Sequence, residues 1–239
     1  MKHLQRMRLL ILRKTLNLMH NCMGAKPDFA IEYEECIKGY KTIAGIDEAG
    51  RGSLAGPLSV SMVIFPVEFF TNPPKEILRC IDDSKKLTHI KRLHAKDIIT
   101  QYCMWWDCVL IPPEIIDEKN INGATLFAIN TLYQQCKHTP QMVLIDGNFS
   151  FQVSFPYKSI VKGDCLSLSI ASASIIAKVT RDEYMMNINA QYPEYGFAHH
   201  KGYATKKHLD AIKKFGPSPL HRKTYEPVAG LFYELSLFK

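Results

Sequence analysis

The sequence contains no C-x-x-C pair, no long hydrophobic run, no internal repeat and no low-complexity tract. Its seven cysteines, an odd number, fit neither a disulfide framework nor a zinc ribbon. The longest aliphatic run near the start, Leu9–Leu12, ends at Arg13 and Lys14, so neither a signal peptide nor a membrane span fits. These absences predict a soluble, cytoplasmic protein with reduced thiols and no membrane contact.

Composition and charge indicate a folded protein with an uneven charge distribution. Of the 239 residues, 46% are hydrophobic and 22% are charged, which excludes a disordered chain and allows a packed core. The formal net charge is +7; residues 1–27 hold six cations and no acid, and residues 197–225 hold seven cations and only Asp210. An acidic middle between two basic segments can gather cations in one place and polyanions in another. Solvated surface charges explain the pattern equally well, so charge alone leaves both readings open.

Hydrophobic periodicity and turn residues predict an α/β fold. The predicted elements are strands at 42–46 and 57–65, a helix at 88–102, a strand through 109–111, a helix at 113–135, a strand at 142–145, a further short strand and a long helix at 166–189. The first two strands predict a hairpin, and Thr88 is expected to cap the helix that ends at 102. The order of all the elements predicts a mixed sheet flanked by helices. We expect three parts: a partly helical N-terminal extension over 1–40, a core over 41–190, and a basic helical segment over 191–239 packed on that core.

The most unusual stretch is the glycine turn, residues 50–56, which follows two adjacent carboxylates, Asp47 and Glu48, at the end of a predicted strand. The turn satisfies the dinucleotide-binding pattern G-x-G-x-x-A, but that pattern needs a helix after it, and the residues from Pro57 onward favour a strand. A P-loop is excluded because no Gly-Lys-Ser/Thr follows. A solvated strand end before a tight turn remains the structural alternative.

Two more carboxylates are candidates for the same site. Asp146 ends the predicted strand at 142–145, and strand ends are where sites gather in α/β sheets. Asp182 lies on the long predicted helix, where an i,i+4 ion pair with Lys178 is the structural alternative. Clustered acids repel one another unless cations neutralise them, and Mg²⁺ prefers oxygen ligands. Two such ions about 4 Å apart can stabilise an in-line phosphoryl displacement, so a metal-dependent nuclease is the natural candidate.

Several motifs, in this order, resemble those of bacterial type 2 ribonuclease H (ribonuclease HII). The upstream motifs are Asp47–Gly52, Asp83–Leu87, Asp146–Asn148 and Lys162–Asp164. The downstream motifs are Ala173–Asp182, Tyr195–Phe197, His200–Tyr203 and Gly216–Arg222. The resemblance covers about residues 41–225, and several long motifs in order are far more specific than any single one.

This resemblance implies a ribonuclease H-like fold whose metal ligands are Asp47, Glu48, Asp146 and Asp182, with Mg²⁺ or Mn²⁺ in a two-metal site. It implies an endoribonuclease that hydrolyses the RNA strand of RNA·DNA hybrids. It also implies cleavage on the 5′ side of single ribonucleotides embedded in duplex DNA, leaving 3′-hydroxyl and 5′-phosphate ends. Roles in ribonucleotide excision and DNA replication would follow, with the protein acting as a monomer on nucleic acid.

The resemblance also assigns substrate-binding residues. It implies that Gly50, Arg51, Gly52 and Tyr203 read the ribose, because glycine backbone groups can approach a 2′-hydroxyl closely. Ser84 and Lys85 would contact phosphate, and Lys178 with other basic side chains would follow the duplex backbone. The chain departs from the family pattern at Ser53, where proline is more common, and at Ala204, where glycine is. Without the resemblance, Tyr203 reads as a surface aromatic in a loop.

Three rival functions remain to be separated. Type 3 ribonuclease H usually lacks the arginine in the glycine turn and ends its acid set with Glu, whereas this chain has Arg51 and Asp182. A noncatalytic RNA·DNA hybrid-binding protein would show the basic segment without a complete acid set. A nicotinamide-dependent oxidoreductase would need a helix after the glycine turn. The four C-terminal histidines lack the companion Cys or the helical spacing of a zinc site, so hydrogen-bonding or phosphate-binding roles are expected for His199, His200, His208 and His221.

Overall fold

The computed structural model describes residues 26–231, so the predictions made for residues 1–25 and 232–239 lie outside the described range. The strands are β1 Ile43–Ala49, β2 Leu58–Ile64, β3 Trp105–Ile111, β4 Met142–Asp146 and β5 Tyr157–Ile160. The helices are α1 Ala30–Ile37, α2 Lys75–Cys80, α3 His89–Tyr102, α4 Pro113–Gln135, α5 Leu168–Ile188, α6 Phe197–His200 and α7 Lys206–Phe215. Short 3₁₀ turns lie at Val67–Phe70, Gly163–Cys165 and Pro193–Tyr195.

The five strands form one mixed sheet in the order β3-β2-β1-β4-β5. β1 pairs antiparallel with β2 and β2 with β3, whereas β1 pairs parallel with β4 and β4 with β5. The predicted hairpin and the predicted α/β class are confirmed. β1 continues to Ala49, three residues beyond the predicted strand, because β2 pairs with it as far as Ala49 opposite Ser59.

Local sequence explains where the main helices begin. The hydroxyl of Thr88 accepts from the Lys91 N–H at the start of α3, and the hydroxyl of Ser167 accepts from the Ile170 N–H at the start of α5. Pro113 occupies the first turn of α4, where its missing N–H costs nothing. α4 is kinked at Asn120, whose φ is 56°. None of the helices in the described range is long and apolar enough to cross a membrane.

Helices cover both faces of the sheet. Successive side chains of β1 and β4 point to opposite faces, so each strand contributes to two hydrophobic clusters. One face, with Ile43 and Leu144, packs against α3 and α5. The opposite face, with Ala44, Ile46 and Val143, packs against α4.

A third buried cluster joins the end of α5 to the C-terminal segment. It contains Met185, Tyr195, Phe197, Ile212 and Val228. The described C-terminal residues therefore pack on the rest of the protein, while the division of the chain at residues 40 and 190 stays a prediction.

Helix and strand backbones pack closely where α5 crosses β1. A Cβ atom built on Gly45 would lie 2.2 Å from the carbonyl carbon of Ser169, which is backbone and cannot move aside. The small residues Ala171 and Ala173, near the start of α5, are fully buried in the core on the same side of the sheet. This close approach seats the helix against the strand that ends in the acid pair.

We predict that Gly45→Ala lowers the free energy of unfolding by about 3 kcal/mol, because the new methyl group forces β1 and α5 apart. The measurement is urea unfolding followed by circular dichroism. Gly52→Ala is the matched control, since a Cβ at Gly52 meets no atom within 4 Å. It should change the free energy of unfolding by less than about 1 kcal/mol. Equal stability of the two variants would contradict the packing described.

Candidate active site

Two aspartates meet because β1 and β4 are parallel neighbours. The register places Ile46 opposite Ile145, so the next residues, Asp47 and Asp146, lie side by side at the carboxyl ends of the strands. By the alternation of the strands, both carboxylates lie on the sheet face covered by α5. Asp164, in the turn after β5, completes the group: carboxylate oxygens of Asp47, Asp146 and Asp164 all lie within 4.8 Å of one another.

A backbone hydrogen bond holds the third member of this group in place. The N–H of Gly163 donates to Asp146 Oδ1 at 2.6 Å, which ties the turn that carries Asp164 to the end of β4. On the other side of Asp164, Lys85 Nζ lies 3.0 Å from Oδ2. Burial opposes the charge on Lys85, but the hydrogen bond and the charge of Asp164 raise its pKa to about 12.

Glu48 is the next residue of β1 and stands against the same group. Its Oε2 is buried and has no hydrogen-bond partner, while its Oε1 lies 3.8 Å from the Arg51 guanidinium. Burial raises the pKa of Glu48 to about 7, with repulsion from Asp146 adding to the rise and Arg51 opposing it. Burial, with repulsion from Glu48 and Asp146, raises the pKa of Asp47 well above its ordinary value.

These four carboxylates fit divalent cations. Burial and the charge of Asp164 also raise the pKa of Asp146, so ionising all of these carboxyl groups together costs free energy. Glu48 Oε2 is a buried carboxylate oxygen with no hydrogen-bond partner in the protein. A bound cation would supply the partner that this oxygen lacks. Hard cations such as Mg²⁺ and Mn²⁺ take oxygen ligands of this kind.

The residues predicted for catalysis, metal binding and substrate binding lie together, with one exception. They line a cleft of about 290 Å³ together with Arg92 and Ser174. The predicted residues in this cleft are Asp47, Glu48, Gly50, Arg51, Gly52, Ser84, Lys85, Asp146, Lys178 and Tyr203. Asp182 is the exception.

Asp182 stands apart because of its position along α5. It lies eight residues beyond Ser174, which is about 12 Å along the helix axis. Its Oδ1 lies 2.8 Å from Lys178 Nζ and its Oδ2 lies 4.0 Å from Arg92. Asp182 thus forms the i,i+4 ion pair that helix spacing offered as the alternative, and it lines a neighbouring groove instead. The structure brings Asp164, not Asp182, to Asp47 and Asp146.

Sequence reasoning does not single out Asp164. Lys162–Asp164 is one of the motifs that carry the resemblance, but the ligand set that the resemblance implies does not include its aspartate. The signal was weak because the acid follows a four-residue strand, β5, and a 3₁₀ turn rather than a long apolar strand.

The three residues predicted to contact phosphate, Ser84, Lys85 and Lys178, all have partners within the protein. Ser84 is buried, and its hydroxyl lies 3.0 Å from the hydroxyl of Ser174 beneath the acids. Lys178 is paired with Asp182 and also lies over the Tyr203 ring, with 5.6 Å between its Nζ and the ring centroid. Lys85 is paired with Asp164, although its side chain is 79% exposed.

Tyr203 is held from below by buried histidines while its ring stays accessible. Its carbonyl lies 2.9 Å from His208 Nδ1, and His208 Nε2 lies 3.1 Å from His221 Nε2. Both imidazoles are fully buried, and burial lowers each pKa to about 4, with mutual repulsion contributing for His221. His208 and His221 therefore have hydrogen-bonding roles, which are among the roles expected for the four histidines.

Comparisons with known proteins point to one family. The family model for Ribonuclease HII matches residues 44–228. A Ribonuclease HII from Chloroherpeton thalassium is 47% identical over 190 residues, which are 79% of this chain and 92% of that protein. A Ribonuclease HII from Dichelobacter nodosus is 44% identical over 189 residues, which are 79% of this chain and 96% of that protein.

Solved structures share the fold at low sequence identity. Ribonuclease H2 from Pyrococcus horikoshii has a TM-score of 0.68 and 23% identity, covering 82% of this chain and 99% of that one. Bst-RNase HIII in complex with Mn²⁺ has a TM-score of 0.60 and 14% identity, covering 81% of this chain and 70% of that one. At these identities the likeness establishes the fold alone.

We predict that the buried histidine pair makes stability depend on pH. A folded pKa of about 4, below the ordinary value of 6.5, means that the unfolded chain binds more protons between these pH values. Stability is therefore present above pH 6.5 and is lost as the pH falls toward 4. The slope is at most about 1.4 kcal/mol per pH unit for each imidazole.

The test is urea unfolding of wild type and His208→Gln at several pH values from 7.5 to 4.5. The difference in unfolding free energy between the two should shrink as the pH falls. His199→Gln, which removes an exposed imidazole of the same segment, is the matched control and should follow the wild-type profile. A difference that stays constant over this range would refute a buried neutral pair.

Proposed function

Because the chain belongs to the ribonuclease HII family, we propose that it cuts duplex DNA on the 5′ side of a single embedded ribonucleotide. Membership itself makes the protein a ribonuclease H, an endoribonuclease that acts on RNA·DNA hybrids. In the proposed reaction, water adds to phosphorus and the bond from phosphorus to the upstream 3′ oxygen breaks. The products are a 3′-hydroxyl end and a 5′-phosphate end on the ribonucleotide.

We propose that Asp47, Glu48, Asp146 and Asp164 hold divalent cations, Mg²⁺ or Mn²⁺. The single observation that carries this proposal is the convergence of three carboxylates within 4.8 Å, with the orphaned oxygen of Glu48 beside them. A pair of ions bound there would supply stabilisation of the attacking and leaving oxygens of an in-line displacement. This set replaces the one that contained Asp182.

The protein's own groups would hold the substrate strand against these acids. The backbone of Gly50, Arg51 and Gly52 lines the cleft and can donate to the ribose 2′-hydroxyl, which distinguishes RNA from DNA. Tyr203, 37% exposed, offers a ring on which a sugar or base can stack. Lys85 places a positive charge at the cleft edge, where it can contact phosphate.

Each rival function conflicts with a specific observation. The complete acid group argues against a noncatalytic hybrid-binding protein. Arg51 in the glycine turn and relatives named Ribonuclease HII at 40 to 47% identity argue against a type 3 enzyme. Strand β2 follows the glycine turn, which removes the helix that a nicotinamide site needs. Cytoplasmic location, action as a monomer, and roles in ribonucleotide excision and DNA replication stay predictions.

The proposed cleavage is tested with a duplex that carries one ribonucleotide, beside an all-DNA duplex and an RNA·DNA hybrid, in Mg²⁺ or Mn²⁺. We expect a single cut 5′ of the ribonucleotide, cleavage of the hybrid and no cut in all-DNA. Asp47→Asn should lower kcat by at least about 100-fold, since it removes a ligand that stabilises the reaction. Equal cleavage of the ribonucleotide duplex and the all-DNA duplex would contradict ribose recognition.

A second test separates the two aspartates. We predict that Asp164→Asn weakens Mn²⁺ binding by at least about 10-fold. Replacing a residue that only hydrogen-bonds to a metal ligand already weakens metal binding by about 10-fold, and replacing the ligand itself should weaken it at least as much. Asp182→Asn should change the affinity by less than about 3-fold, since that carboxylate pairs with Lys178. Isothermal titration with Mn²⁺ measures both without substrate. The reverse order of the two effects would restore Asp182 to the ligand set.

A further inference from the structure

A buried arginine from the C-terminal segment holds the glycine turn from behind. Arg222 is fully buried, and its guanidinium donates to the carbonyls of Gly50 at 2.7 Å and Arg51 at 2.9 Å. Two further hydrogen bonds, of 3.2 and 3.0 Å, reach the carbonyl of Gly56. Within residues 26–231, no carboxylate forms a salt bridge with Arg222. The guanidinium of Arg222 therefore donates its hydrogen bonds to the backbone of the glycine turn.

Tyr225 adds a second donor to the same turn. Its hydroxyl donates to the Arg51 carbonyl at 3.0 Å, and its ring centroid lies 5.0 Å from the Arg222 guanidinium carbon. The N–H of Arg222 also donates to the Leu54 carbonyl at 2.9 Å. Residues 222–225 thus bind the carbonyls of the turn at Gly50, Arg51, Leu54 and Gly56.

The direction of these carbonyls fixes the direction of the N–H groups that face the cleft. In a trans peptide the C=O of one residue and the N–H of the next point in opposite directions. Because the Gly50 and Arg51 carbonyls point to Arg222, the N–H groups of Arg51 and Gly52 point away from it. In the described part of the chain neither N–H donates to a protein acceptor, and both residues line the cleft beside the acids.

Arg181, also fully buried, hydrogen-bonds to other carbonyls. Arg181 donates to the carbonyls of Ala55, Pro57 and Lys201, and its guanidinium carbon lies 5.4 Å from the Tyr203 ring centroid. It ties the far end of the turn to the Tyr203 loop, and its side chain also packs against Gly50, where an added Cβ would lie 1.9 Å from Arg181 Nε. Arg222 and Tyr225 instead hydrogen-bond to the carbonyls of Gly50 and Arg51. These two peptide groups fix the direction of the Arg51 and Gly52 N–H groups.

We propose that Arg222 and Tyr225 are positioning residues for ribose recognition. They turn the Arg51 and Gly52 N–H groups toward the 2′-hydroxyl before substrate binds. A preorganised donor pair binds its acceptor without first reordering the turn, so the preference for ribose over deoxyribose depends on these two side chains. This inference rests on the proposed function, because it explains how that same site distinguishes a ribonucleotide.

The experiment measures a ratio of affinities, which a general loss of stability would leave unchanged. Fluorescence anisotropy gives Kd for a duplex with one ribonucleotide and for the matched all-DNA duplex, in Ca²⁺, with strand integrity checked on a gel. The ratio of the two Kd values is the ribose preference. Thermal unfolding of each variant confirms that it is folded.

Two variants, with one control variant, form the test. Tyr225→Phe removes one donor and should lower the ribose preference about 3-fold, the effect of one hydrogen bond. Arg222→Lys keeps the charge but not the fork of donors and should lower it at least about 10-fold. In both, Kd for all-DNA should stay within about 2-fold of wild type, since phosphate contacts are made elsewhere.

Tyr195→Phe is the matched control. It removes the same kind of bond, from a tyrosine hydroxyl to a backbone carbonyl at 2.8 Å, but on Gly216 outside the glycine turn. It should keep the wild-type ribose preference. Tyr225→Phe removes only a hydroxyl, so it supplies a folded variant even if Arg222→Lys does not fold.

The outcomes separate the two levels of the account. If wild type itself shows no ribose preference, the proposed ribose recognition fails. If wild type prefers ribose and folded Tyr225→Phe keeps that preference in full, the positioning inference is overturned while the proposed function stands. Equal weakening of both duplexes in the variants would also overturn it, because a merely structural role predicts that result.

Discussion

Parallel pairing of β1 with β4 is the constraint on which the site depends. It sets Asp47 beside Asp146 on one face of the sheet, and the bond from Gly163 to Asp146 then brings Asp164 to them. Close packing of α5 on Gly45 buries the group, and burial with mutual repulsion raises the pKa of Asp47, Glu48 and Asp146. A fold that brings buried carboxylates together in this way favours cations at that point.

A second set of buried polar groups shapes the surface beside the acids. Arg222 and Tyr225 hold the carbonyls of the glycine turn, and the pair of His208 and His221 holds the carbonyl of Tyr203. Burying guanidinium and imidazole groups costs free energy unless their donors are satisfied, and here backbone carbonyls satisfy them. The basic C-terminal segment therefore contributes more than positive charge: its buried residues set the backbone that faces substrate.

Much of this arrangement could be predicted from sequence because it follows local rules. Asp47, Glu48 and Asp146 directly follow apolar strand residues, and parallel neighbours bring such ends together. The capping of α3 by Thr88 and the hairpin of β1 and β2 were likewise predicted from local residue types.

The parts that sequence reasoning missed depend on distances along elements or on partners far away in the chain. Asp182 and Asp164 are both acids in recognised motifs, and only the distance along α5 and the short β5 decide which one reaches the group. Arg222 binds carbonyls about 170 residues away, and backbone acceptors leave no residue-type pattern to find.

The central claim is that Asp47, Glu48, Asp146 and Asp164 bind divalent cations together. Anomalous diffraction from crystals of the protein grown with Mn²⁺ tests it most directly. The account predicts anomalous peaks within coordination distance of oxygens from these four side chains, with Asp182 outside that distance. Peaks coordinated by Asp182, or none at the four carboxylates, would contradict it.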